Sequence, residues 1–154
     1  MSNIEHSLET VLTELDDQVS ALTEVLSADD EALWAEPAAG EWSAAMVLVH
    51  LSDAELHVAA RLRYLLTEDS PAFPNWNEEE HAALSDTRSP EIALAVIAAV
   101  RAANADLVRS ADPARLERTA ILPDGEVVGP VELLGRHVRH NAAHIDQANA
   151  ALRS

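Results

Sequence analysis

The sequence predicts an all-α fold, a four-helix bundle, and three observations carry that prediction. Apolar residues recur at spacings of three and four over several long stretches. Hydrophobic residues make up 48% of the chain, mostly Ala, Leu and Val, while Gly (4) and aromatics (3%) are scarce. That balance suits close helix–helix contacts better than a sheet. Helix-start residues, Ser43, Pro90 and Pro130, stand at the heads of such stretches. At 154 residues the chain is expected to form one domain, residues 1–154, long enough to bury a core.

The elements follow in order. Ile4, Leu8, Val11, Leu12, Leu15, Val19, Leu22 and Leu26 read as one long amphipathic helix over residues 3 to 27. Asp29 or Asp30 caps a short helical turn that reaches Trp34, and Pro37-Ala38-Ala39-Gly40 is a break. Ser43 caps a second long helix running to about Thr67, with Met46, Val47, His50, Ala54, His57, Arg61 and Tyr64 as its inner face. Residues 68 to 89, with Pro71, Pro74, Asn75 and Asn77, form a long link holding one short helix. A connection of that length in a compact domain is often functional.

Pro90 fits the first turn of a third long helix, because its missing N–H costs nothing there. Ile92, Val96, Ala99, Ala103 and Leu107 are its expected buried stripe. Residues 119–122 and 126–128 flank Pro123-Asp124-Gly125 and predict a small hairpin-like turn. Pro130 opens the last helix. There Leu133, His137, His140, His144, Gln147 and Ala151 form one stripe, and Leu134, Val138, Ile145, Ala148 and Leu152 the next. Both are expected to face the bundle interior, between whose helices cofactor sites lie.

The bulk chemistry narrows the function. Ten basic against 27 acidic residues leave a formal charge of −17. Such a surface repels phosphate backbones and anionic lipid, so nucleic-acid and membrane partners are not expected. No apolar run approaches the length of a membrane span, and the N-terminus has no secretory pattern, so a cytoplasmic location is expected. With no cysteine there is no disulfide, no thiolate ligand and no cysteine nucleophile. A metal would have to use His, Asp, Glu or water, and a thiol would have to come from outside.

The histidines are the chemical signal. Residues 137–144 carry three of the seven: His137, His140 and His144. Side chains four apart on a helix lie one above the other, so His140 and His144 can grip one ion. The pair alone is a weak motif, but both fall on the predicted inner stripe, where unmetallated imidazoles would need several polar partners. His50, near the start of the second long helix, supplies a third nitrogen. Three neutral nitrogen donors with open positions describe a reactive site rather than a closed structural one. His57 and His137, each two turns from a proposed ligand, are assigned to the pocket, with His137 a reserve ligand. His6 and His81 are assigned to the surface. Asp53 and Glu55 are candidates to orient a ligand histidine or move a proton, a solvated helix face being the plainer alternative. Arg61 and Arg63 are candidates to bind a carboxylate, with surface ion pairing the plainer alternative. Trp34, Trp42 and Trp76 either wall a pocket or pack the bundle ends.

These same residues carry a family resemblance. Trp42-Ser43 followed by Val49-His50-Leu51-Ser52-Asp53-Ala54-Glu55, then residues 61–66, the Pro-rich link 71–77, and His140-Asn141-Ala142-Ala143-His144-Ile145-Asp146-Gln147 resemble the DinB-like superfamily of metal-binding four-helix bundles. The resemblance implies that His50, His140 and His144 bind a divalent metal, zinc or nickel. It also implies homodimers, and an enzyme that activates a low-molecular-weight thiol such as bacillithiol, mycothiol or glutathione in S-transfer. His57 and His137 lie outside the family motif. The sequence runs only briefly past its last helix, so the further domain of mycothiol-dependent maleylpyruvate isomerases is not expected. Two other functions stay open: a hydrolase using metal-bound water, with a small-molecule substrate, and a non-enzymatic, stress-related dimer whose metal is structural.

Overall fold

The structure, a computed structural model, describes residues 3–154, excepting the side chains of Asn3, Glu5 and His6. The surface assignment of His6 therefore falls outside the described residues. Four long helices form the bundle: α1 (Asn3–Leu26), α3 (Ala44–Thr67), α5 (Pro90–Ser110) and α7 (Pro130–Leu152). Short helices α2 (Asp30–Trp34), α4 (Glu78–Ala82) and α6 (Pro113–Leu116) lie in the connections. Strands β1 (Ala120–Ile121) and β2 (Val127–Val128) make the small antiparallel hairpin. The expected caps hold: the Ser43 side chain accepts from the Met46 N–H, Asp29 from Ala32, and Pro90 and Pro130 open their helices. Gly125 sits at φ +87°, a backbone conformation that glycine adopts without strain, and closes the hairpin turn.

Helices α1 and α3 each pack on both α5 and α7, which makes α1 and α3 diagonal partners. Going from α1 to α3, and from α5 to α7, the chain must cross the bundle end, and the connections holding α2 and the hairpin make those crossings. The Pro-rich link is tied to the hairpin as well. Ile121 N–H donates to Pro71 C=O and Phe73 N–H to Ile121 C=O. This pairing and α6 have no counterpart among the sequence expectations.

Two faces differ from expectation. In α5 the buried residues after Pro90 are Ala93, Ile97, Arg101, Asn104 and Val108, one or two positions on from the predicted stripe, and Ile92 is 66% exposed. An apolar stripe had to slide past Arg101 and Asn104, because a purely apolar pattern cannot include them. In α3, Tyr64 points outward (56% exposed), while Leu48, Leu51, Leu62 and Leu65 fill the core. The α5 register has a direct check. Ile97→Ala is expected to cost about 2–5 kcal/mol in urea unfolding, and Ile92→Ala less than about 0.5 kcal/mol. Equal losses at the two sites would contradict the register.

The core has two apolar clusters. One gathers Leu8, Leu12, Leu15, Leu62, Leu65 and Leu134, the other Leu22, Val25, Leu48, Leu51, Ile97 and Ile145. Along every long helix a polar residue separates them: Gln18, Glu55, Arg101, and His137 with Asn141. A polar belt inside a bundle must be hydrogen-bonded to be tolerated. Gln18 donates to Val138 C=O at 2.9 Å, and Glu55 receives both Arg101 and His137.

Candidate metal centre

Helices α3 and α7 pack side by side, and three histidines meet between them. His50 is buried on α3, while His140 and His144 stand half-buried on the flank of α7, one turn apart. The α7 stripe that is fully inside runs through Leu134, His137, Asn141, Ile145 and Ala148, so the two histidines border the core rather than fill it. One nitrogen from each of His50, His140 and His144 lies within 4.8 Å of the others. The His50 and His140 Nε2 atoms are 3.4 Å apart. Two nitrogens, each about 2.0–2.1 Å from one tetrahedral ion, stand about 3.3–3.4 Å apart. The donor set therefore fits a divalent transition ion in chemistry, and the His50–His140 pair fits it in spacing.

The surroundings keep these nitrogens available. Burial first, then the neighbouring His144 and His140, pushes the His50 pKa down to about 3. Burial, with His144 and His137, pushes His140 down to about 4. Both rings thus keep a lone pair at neutral pH. The Gln147 Oε1 accepts from His144 Nδ1 at 2.8 Å, which leaves the His144 Nε2 lone pair for a ligand. Asn141 Oδ1 stands at 3.5 Å from His140 Nδ1, whereas His50 Nδ1 has no such support among the described residues.

The depressed values have a measurable consequence for the metal-free protein. Unfolded, each ring takes a proton below about pH 6.5. Folded, His50 and His140 resist until about 3 and about 4. Stability is therefore expected to fall as pH drops from about 6.5 towards 4, because the unfolded chain binds more protons. Urea unfolding at pH 7 and pH 5 in chelator reads it, and His140→Phe should flatten the dependence. An unchanged slope in that variant would contradict the assignment.

Aromatic rings cover the cluster. Trp42, just before α3, lies 4.8 Å from His50 and 5.8 Å from His144 between ring centroids. Trp76, in the Pro-rich link, stacks on His50 at 5.7 Å and on His57 at 4.3 Å. Trp34 packs instead on the apolar cluster at its end of the bundle. A cavity of about 150 Å³ opens beside His140, and His57, Arg61, Trp76 and His137 all line it. His57 and His137, assigned from sequence to the pocket, thus line one cavity with the candidates Arg61 and Trp76 and with His140. Glu78 and Arg136 line it too, and neither was singled out from sequence.

Several sequence assignments are placed differently. Asp53 and Glu55 are not on a solvated face: Asp53 is 8% and Glu55 1% exposed. Asp53 receives both Arg88 nitrogens at 2.7 and 2.9 Å, with His81 at 3.8 Å. Glu55 contacts His137 and Arg101, not a histidine of the triad. His81 is half-buried, edge-on to Trp76 at 5.0 Å and to His57 at 5.4 Å, so the surface assignment is corrected. Its position depends on the fold of the link, which no local spacing encodes. Among the described residues Arg61 forms no carboxylate hydrogen bond; it donates to Pro74 C=O at 2.9 Å and lies over the Phe73 ring, tying the link to α3. Arg63 bonds Ala59 C=O and Asn104.

Comparison with known proteins agrees with this architecture. A protein of Oceanobacillus iheyensis, provisionally named a metal-dependent hydrolase, is 30% identical over 79% of this chain and 73% of its own. One of Halalkalibacterium halodurans with the same provisional name is 29% identical over 89% and 81%. The structure described as YfiT from Bacillus subtilis, "a probable metal-dependent hydrolase with an unusual four-helix bundle topology", superposes with a TM-score of 0.86 at 24% identity, covering 99% of this chain and 89% of that one. A mycothiol-dependent maleylpyruvate isomerase shares the fold with a TM-score of 0.71 at 19% identity, covering 94% of this chain and 62% of that one. No described helix is long and apolar enough to cross a membrane. Residues 7–148 match the DinB superfamily, and the chain belongs to that family.

Proposed function

We propose that His50, His140 and His144 hold one zinc or nickel ion and that the protein is a metal-dependent enzyme that activates a low-molecular-weight thiol. The observation that carries this reading is the meeting of three histidine nitrogens, with His140 among them lining a cavity. A bound ion would supply Lewis acidity, lowering the pKa of a thiol at its open positions so that the thiolate is the nucleophile. Around it, the protein's residues bind and orient. His57, Trp76, His137 and the Arg61 stem wall the cavity and receive the electrophile. Trp42 and Trp76 limit water at the histidines. Asp53 and Glu55, the carboxylates flanking His50, are already engaged by arginines. Neither is free to accept a proton from water, whereas a thiol on such an ion needs no added carboxylate.

The relatives' provisional names favour a second reading, hydrolysis, and Glu78 on the cavity wall is the carboxylate it would use. One experiment separates them. Zinc- or nickel-loaded protein is mixed with bacillithiol, mycothiol or glutathione and a chromogenic electrophile, beside ester substrates without thiol. Thiol-dependent turnover above a His144→Ala control is expected. Ester turnover without thiol, lost in Glu78→Gln, would favour hydrolysis, and no turnover in either would leave a non-enzymatic metal protein. A homodimer belongs to the same proposal; the outward Leu56 and Ile92 offer it apolar surface, and sedimentation velocity reads it.

A further inference from the structure

We propose that His137 is the proton acceptor of the substrate cavity, with Glu55 and Arg101 as the residues that position it. This rests on reading that cavity as the substrate site. The Glu55 Oε2 lies 2.8 Å from His137 Nε2 and 2.9 Å from Arg101 Nε, and Arg101 Nη1 is anchored on Leu15 C=O. An ionised carboxylate only accepts, so the shared proton belongs to His137 Nε2. In a neutral ring donating from Nε2, the lone pair is on Nδ1. That atom has no hydrogen-bond partner among the described residues, and His137 lines the cavity that His140 also lines. The two rings are nearly parallel, with centroids 6.2 Å apart.

A carboxylate behind an imidazole that lines a cavity is the arrangement of a general base. The carboxylate fixes the tautomer, aims the ring and stabilises the imidazolium that forms. Here the S–H bond of the thiol breaks, its electron pair stays on sulfur, and the proton bonds to His137 Nδ1. Glu55 then faces an imidazolium until the proton passes to the leaving group or to solvent. Serving as a metal ligand through Nε2 would instead cost His137 its bond to Glu55.

Two readouts test this. Long-range proton–nitrogen NMR of the metal-free protein should find His137 in the Nε2–H form, with Nδ1 unprotonated, at pH 7. In the zinc- or nickel-loaded protein, His137→Phe, which fills the same space and leaves Glu55 with Arg101, should keep its metal content. It should lower kcat by about 10²–10⁴-fold, with KM little changed. Glu55→Gln should lower kcat part of the way, also at constant KM. An Nδ1–H ring in the wild type would overturn the assignment, as would His137→Phe turning over at the parent rate. If the loaded wild type turns over no thiol or ester substrate, the functional reading fails, and the NMR tautomer alone decides whether His137 presents an acceptor.

Discussion

Replacing His140 and His144 together by alanine is expected to abolish metal binding and leave the bundle folded. Tag-free parent protein, prepared without metal-affinity resin, should carry about one equivalent of a divalent transition metal, and the double variant none. Two of three donors are lost, and one histidine cannot hold an ion against water. The fold should survive because both side chains stand on the flank of α7, while its buried stripe runs through Leu134, Asn141, Ile145 and Ala148. Alanine is also the best helix former. The supporting residue sets a graded comparison. Gln147→Ala removes only the acceptor on His144 Nδ1, and should weaken the metal by about 10–100-fold. A folded double variant that keeps its metal would place the ion elsewhere. Parent protein that takes up neither zinc nor nickel would make the three histidines pocket residues.

What could be read from the sequence follows from what is local. Ser43, Pro90 and Pro130 mark helix starts through bonds formed within one turn, and all three mark them in the structure. His140 and His144 share a face because the helix period puts them there. His50 met them because its position on α3 and the apolar patterning of both helices bring the two faces together. Position 101 shows where that logic stops. The pairing of Arg101 with Glu55 joins residues 46 apart, and that of Arg88 with Asp53 joins residues 35 apart. A reading that sends charge outward moves the α5 stripe by one or two residues and leaves Asp53 and Glu55 in solvent. The link behaves the same way. His81, Trp76 and Glu78 reach the site only because Arg61 holds Pro74, Arg88 holds Asp53 and Ile121 pairs with the Pro-rich segment. None of those partners is periodic with another.

Arg101→Met should be the most damaging single change to stability, at about 3–5 kcal/mol in urea unfolding. Glu55 is 1% exposed, and burial alone would push its carboxyl up. The hydrogen bonds from His137 and Arg101, with the Arg101 charge, outweigh burial and hold it below the ordinary carboxylate range. Removing Arg101 leaves a buried anion with a single imidazole and frees Leu15 C=O. The pair should not be strongly stabilising in itself, since both charges left water to form it. Glu55→Leu/Arg101→Met should therefore lose much less than Arg101→Met alone, which a double-mutant cycle reads as coupling. Acid tests the same belt. Because the Glu55 pKa is lowered on folding, its contribution is present above the unfolded value near 4.5 and is lost as pH falls below it. That window overlaps the lower end of the one set by His50 and His140, so the fall from about pH 6.5 to about 4.5 reports the histidines and Glu55 adds to it below. A cost below about 1 kcal/mol for Arg101→Met would mean that the belt is hydrated, because only water could then be satisfying the Glu55 carboxylate.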